Sequence, residues 1–208
     1  HHEPENGESQ FAIVVNNQMS PKYKNKQLSG VGIVYKFLQA LDDKYLFMGA
    51  DEYLDLVAIG NIADSMDLSS PETRYYVYEG LRNIKNKFIA EMVKEHIGEE
   101  KNLIYPHNFA FSINPKINAV IRVGKDEEKE DLFRVLCGVE ESSVNGRTGK
   151  TETLPQKMKR VSGNVHKRQK TTRDKWAKKF KAQIEENNLN DNAFILIQVD
   201  EKFERELG

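Results

Sequence analysis

The sequence has one cysteine, one tryptophan and almost no net charge, −1 over 208 residues. A single thiol, Cys137, excludes an intramolecular disulfide and fits a reducing compartment, read here as the cytoplasm. As a small, weakly polar side chain it is expected to be buried. No apolar run approaches the ~20 residues that a membrane-spanning helix needs. The first ten residues are polar and acidic, which is not the pattern of a secretory leader. With 38% hydrophobic and 30% charged residues, the chain is not of the disordered class. It is long enough for one or two domains with a real core.

The near-neutral total hides an uneven distribution. Between Gln156 and Lys181 stand eleven Lys or Arg and one acid, Asp174, a net of +10 in a chain of net −1. A basic segment in an otherwise acidic chain is an electrostatic footprint for nucleic acid. The plainer reading is a solvated helix face.

Phe11-Ala12-Ile13-Val14-Val15-Asn16 is continuously apolar, as a buried parallel strand is. Ser29 is placed to cap a helix over 31–40, with Val34, Phe37, Leu38 and Leu41 as its buried stripe. Asp51 starts a second helix, with Leu54, Val57, Ala58 and Ile62 on one face. Ser70-Pro71-Glu72 opens a third, carrying Tyr75, Tyr78 and Leu81. Phe88 to Ile97 is again helical. Phe109 to Ile113 reads as a strand stopped by Pro115. Residues 140–163 read as an exposed loop. A long helix over 164–187 follows, with Val165, Trp176, Phe180 and Ile184 about four apart. Trp176 and Phe180 are assigned to core packing rather than base stacking. Ala193 to Val199 reads as a strand.

Several residues carry candidate chemistry. His1, His2 and Asp64 are ligands of the right type for a divalent ion that hydrolyses phosphodiesters. Two histidines at the start also fit a purification-tag remnant, and Asp64 also fits a plain helix-terminal carboxylate. Gly30 and Gly32, after Ser29, let backbone amides approach a ligand. Gly146-Arg147-Thr148-Gly149-Lys150-Thr151 hints at a phosphate-binding loop, but that pattern needs glycine where Val144 stands. His96 and His107 have no ligand-spaced partner.

Five stretches in order resemble the DHH phosphoesterase superfamily, and within it the RecJ exonucleases. They are His1-His2-Glu3-Pro4, then Leu28-Ser29-Gly30-Val31-Gly32, then Leu54-Asp55-Leu56-Val57-Ala58-Ile59-Gly60 through Ala63-Asp64. Asn114-Pro115-Lys116-Ile117-Asn118-Ala119-Val120-Ile121-Arg122-Val123-Gly124 follows, and then the terminal strand with Glu206-Leu207-Gly208. The resemblance implies an α/β fold: the helix-rich later half of a DHH domain with a small parallel sheet, a long connecting helix, and the first strand of a second domain. The corresponding boundaries are 1–139, a loop at 140–163, the connector at 164–189, and 190–208. It implies hydrolysis of single-stranded DNA from its 5′ end at a two-metal site holding Mn2+ or Mg2+. His1, His2 and Asp64 would be ligands, and Arg122 would act on a phosphate. Ser29, Gly30, Lys116, Asn118, Arg122, Lys167, Arg168, Lys170 and Lys175 would contact nucleic acid. Single-strand-binding protein or other replication and repair factors would be partners. The chain departs from the family's pattern at Asn114, Val120 and Ile121, where glycine or small residues are usual, as in a divergent, phage-type branch. It also begins one residue after the aspartate of its first motif, so these 208 residues alone are expected to be inactive. Two other readings stay open. One is a DHH phosphodiesterase of short oligonucleotides or cyclic dinucleotides. The other is a non-catalytic relative that scaffolds a replication complex.

Overall fold

A computed structural model describes residues 11–46, 49–94, 105–199, 203 and 206. The chain divides into two compact units, His1–Asn114 and Pro115–Gly208.

The first unit is built from helices α1 (Gly30–Tyr45), α2 (Leu54–Ala63), α3 (Pro71–Arg82) and α4 (Lys87–Val93), with a 3-10 turn, Ala50–Tyr53, leading into α2. α2 is apolar almost all round, so it sits inside, and Val57, Ala58, Ile59 and Ile62 are all buried. α3 crosses it closely. A β-carbon on Gly80 would lie 2.3 Å from the Leu54 carbonyl oxygen and 2.7 Å from the Ala58 β-carbon, so only glycine fits there. Asp55 is buried but satisfied. Its Oδ2 accepts from the backbone N–H groups of Lys85 and Asn86 at 2.9 and 2.8 Å, fixing the entry to α4. Asn86 then caps α4, accepting from Phe88 and Ile89.

Glu72 holds the other side of this unit together. It accepts from the hydroxyls of Tyr23 (2.5 Å) and Tyr76 (2.8 Å) and from the Asn25 amide (2.9 Å), and it pairs with Lys36 at 3.2 Å. Burial alone would raise its carboxyl pKa, but these donors outweigh it and hold it down to about 2. The Tyr76 ring meets Tyr35 edge-on at 5.1 Å, joining α3 to α1.

Next comes one helical run with a defect. A short turn, α5 (Pro106–Asn108), passes into five π-helical residues, Phe109–Ile113, and then α6 (Asn114–Val123). The strand expected over 109–113 is therefore absent. Pro115 has no N–H to donate, and the chain widens by one residue just before it. The Asn114 N–H reaches back five positions, to the Phe109 carbonyl.

In the second unit α7 (Asp126–Leu136) packs on α8 (Leu154–Glu186), burying Leu132, Val135, Met158 and Val165. Between them lies an antiparallel hairpin, β1 (Ser142–Val144) and β2 (Thr151–Thr153), in register Ser143 with Glu152. Part of the expected loop is thus a strand pair. The phosphate-loop look-alike is its turn: Asn145 Oδ1 accepts from the N–H of Arg147 (3.0 Å) and of Thr148 (3.2 Å), and Gly149 takes φ +68°. α8 starts ten residues earlier than its periodicity suggests, because Thr153 and Gln156 form a capping box with Pro155 in the first turn.

Four further expectations are corrected. Phe11 to Asn16 and Ala193 to Val199 form no ladder; the described sheet is the antiparallel hairpin, and Phe11 and Leu196 are each 97% exposed. An apolar run becomes a strand only where a neighbour pairs with it, and among the described residues neither run has one. The buried side of α1 is Ile33 and Tyr35, with Leu38 packed against them, while Val34 and Phe37 are half exposed. On α3 the buried tyrosine is Tyr76, and Tyr75 and Tyr78 face out. Cys137 is exposed, because it ends α7 at the surface just before Gly138 at φ +85°.

Candidate nucleic-acid interface and metal ligand

Asp64 follows the last residue of α2 and is exposed. The turn that presents it is well built. The Asp64 N–H donates to the Gly60 carbonyl at 3.0 Å, and the Met66 N–H to that of Asn61 at 3.0 Å, with Ser65 in the left-handed region at φ 53°. Asn61, fully buried, ties this turn to the start of α1. Its Oδ1 accepts both the backbone N–H of Ser29 (3.0 Å) and the Ser29 hydroxyl (2.9 Å). Ser29 therefore does not cap α1 with its side chain, and its hydroxyl is engaged rather than turned to solvent. Gly30 beside it is half-buried. Asn61 escaped the sequence reading, although one asparagine inside the apolar run Leu54–Ala63 is a visible signal that a buried partner exists.

Asp64 offers a hard carboxylate oxygen, which suits Mn2+ or Mg2+. His1 and His2 lie outside the described residues. Among the described residues no three acidic, histidine or cysteine side chains converge as a metal site. Asp64 is a single carboxylate of suitable chemistry, with no converging ligand set beside it among the described residues.

The second unit gathers the basic residues. On α6 Asn118 and Arg122 are exposed one turn apart and Lys116 is half-buried. On α8 Lys167, Lys170 and Lys175 are exposed or nearly so. Arg168 is exposed too, and it is engaged by protein groups. It pairs with Glu128 at 3.0 Å and donates to the Val123 carbonyl at 3.3 Å, clamping α8 to the α6–α7 turn. Lys157 likewise pairs with Asp131 at 2.6 Å, and Arg160 with Glu152. Close to Lys170 is His166. Burial, and then Lys116, Arg173 and Lys170, push its imidazole below the usual range. His166 and Arg173 were not singled out by sequence. Their cue is the spacing 166, 169, 170, 173, one face of a helix. Trp176 is buried, as its assignment to packing requires. Its indole N–H donates to Glu206 at 2.8 Å, and its ring lies 5.7 Å from Phe180 and 5.3 Å from Phe203.

The departures from the family pattern have distinct placements. Asn114 is 4% exposed, with no protein hydrogen bond to either polar atom of its side chain. Val120 is fully buried and Ile121 is exposed.

No protein-family model matches the chain. Its fold does match solved nucleases. RecJ from Thermus thermophilus in complex with Mn2+ superposes with a TM-score of 0.60 at 26% identity, over 78% of this chain and 22% of that one. An exonuclease RecJ bound to manganese gives 0.62 at 25%, over 80% and 39%. The helix-rich α/β scaffold is that of the RecJ nucleases of the DHH superfamily. Sequence narrows this further. A putative SPbeta prophage-derived single-strand DNA-specific exonuclease of Bacillus subtilis strain 168 is 41% identical over 204 residues, 96% of this chain and 35% of that protein. RecJ of Thermus thermophilus is 30% identical over 144 residues, 68% of this chain and 20% of that protein. The chain belongs to the RecJ-like family and spans about a third of the length of the prophage protein.

Proposed function

We propose that this chain forms part of a metal-dependent exonuclease that hydrolyses single-stranded DNA from its 5′ end. The observation that carries the reading is the 41% identity, over nearly the whole chain, to a protein named as a single-strand DNA-specific exonuclease. The RecJ structures with Mn2+ and with Mg2+ support a divalent ion, and the exposed carboxylate of Asp64 suits it as a ligand. Such an ion supplies Lewis acidity and an activated water. The chain's own residues bind and place the strand: Arg122 and Lys116 on α6 and the basic face of α8 hold phosphates without reading bases. In domain terms, 1–139 belong to the catalytic domain, 164–189 of α8 and its end to a connector, and 190–208 to the start of a second domain. Cytoplasmic replication and repair is the matching setting.

The test is a chimera in which these 208 residues replace the matching third of the prophage protein, assayed beside that protein. With Mn2+ it should shorten single-stranded DNA from the 5′ end and spare duplex DNA. Asp64→Ala in the chimera should abolish cleavage, since a metal site that loses a ligand no longer holds and orients its ion. Its melting temperature should stay within about two degrees, since an exposed helix-end carboxylate packs against little. A folded, active Asp64→Ala chimera removes Asp64 from the metal site. A folded chimera that binds but never cleaves, beside an active parent, favours the scaffold reading.

A further inference from the structure

We propose that a shallow pocket on α8, lined by His166, Gln169, Lys170 and Arg173 with Lys116 of α6 close by, binds a backbone phosphate of single-stranded nucleic acid. The pocket measures about 160 Å³. The inference rests on the reading that the chain handles single-stranded DNA and assigns that contact to one place.

The pocket residues recur at one-turn spacing, so they share a face of the helix. Their donors are complementary to a tetrahedral oxyanion: a guanidinium fork, two ammonium groups, an imidazole and an amide. Two acids of the neighbouring α7 are held by other cations of α8. On α7, Glu128 holds Arg168 and Asp131 holds Lys157. Asp174 on α8 lies one turn beyond Lys170. The charged groups acting on His166 are Lys116, Arg173 and Lys170, all cations. Like charges held together oppose one another, and a bound phosphate relieves that repulsion. It also reverses the effect on His166. The free imidazole is held below its ordinary value by burial and by those cations. An anion at its edge raises it, so binding takes up a proton. Affinity should therefore fall as pH rises through the pKa of the bound form.

The experiment uses the whole 208-residue chain. Its histidine ring protons are followed by NMR against pH, with the His166 signal identified by its loss in His166→Gln. Oligo(dT) and inorganic phosphate are added in separate arms. With oligo(dT) the His166 midpoint should move up by about one unit, the scale on which a neighbouring anion acts. Lys170→Gln/Arg173→Gln should weaken oligo(dT) binding about tenfold at low salt. It should also flatten the salt slope by about 0.7, the share of one phosphate contact on a single strand. Lys178→Gln/Lys181→Gln removes the same charge from the same helix and should do markedly less. Circular dichroism checks that all variants stay helical. Equal losses in the two double variants, or an unmoved His166, overturn the pocket while leaving single-strand binding in place. A shift with inorganic phosphate but none with oligo(dT) overturns the nucleic-acid assignment. No oligo(dT) binding by the unaltered chain sinks the functional reading itself.

Discussion

Glu72 ties together three stretches of the first unit. It has one carboxylate and four donors, Tyr23, Asn25, Tyr76 and Lys36, drawn from three separate parts of the chain. Its folded pKa lies near 2, below the ordinary value of 4.5. A depressed carboxyl stabilises the fold above its unfolded pKa, and that contribution drains away as pH falls through the folded one. The melting temperature should therefore decline between pH 4.5 and about 2, and Glu72→Gln should flatten this part of the profile. At neutral pH the same substitution should cost about 1–3 kcal/mol, because hydrogen bonds to an ionised group are lost and a neutral amide cannot serve four donors. A calorimetric series over pH, with and without the substitution, measures both effects. The sequence shows Glu72 only as an acid in a first helical turn. Its partners are up to 49 residues away, and no local pattern brings them together.

Elements are legible in the sequence where their cause is local. Ser70-Pro71-Glu72 marks the start of α3, and the apolar block ending at Ala63 marks α2, because caps and periodicity act within a few residues. What fails depends on neighbours. Phe109 to Ile113 has the composition of a strand, yet it continues a helix through a π turn. The stripe on α1 is rotated from its expected place because the rest of the first unit's core buries Ile33 and Tyr35 instead. Asn145 and Gly149 have the composition of a loop, and the pairing of β1 with β2 makes them the turn of a hairpin. α8 offers a sharper test of element-level reasoning. At 33 residues it runs about 50 Å at ~1.5 Å per residue, and most of its far half is exposed. Trp176, with Phe180, Phe203 and Glu206, is the main packing there. Trp176→Ala should lower stability by about 3 kcal/mol, the low end for so large a buried ring. Urea unfolding monitored by circular dichroism reads this directly. If the variant unfolds as before but binds oligo(dT) more weakly, the indole belongs to the nucleic-acid face.

At the scale of the whole molecule, family membership is legible because five short stretches stand in the right order, and identity to the prophage exonuclease extends through all but the edges of the chain. The metal site is legible only in part. Asp64 is an exposed carboxylate at the end of α2, His1 and His2 fall outside the described residues, and no converging ligand set lies among those described. The phosphate-handling residues are half legible. Lys116 and Lys170 stand out by charge and family likeness; His166 and Arg173 share a helix face with Lys170 by spacing alone, but that Lys116 of α6 lies near them has no local signal. Arg168 stands out by charge and family likeness, while its pairing with Glu128, 40 residues away, has no local signal in the sequence. The residue with the widest practical reach is one that composition places in the core. Cys137 is the chain's single thiol, and it is exposed at the surface. In air without reductant, dissolved oxygen should take two electrons and two protons from a pair of Cys137 thiols and leave a disulfide-linked dimer, visible on a non-reducing gel, reversed by dithiothreitol and abolished by Cys137→Ser. The same sulfur is a ready handle: a maleimide dye would attach at the end of α7 and nowhere else, giving a one-site reporter without any engineering of the chain.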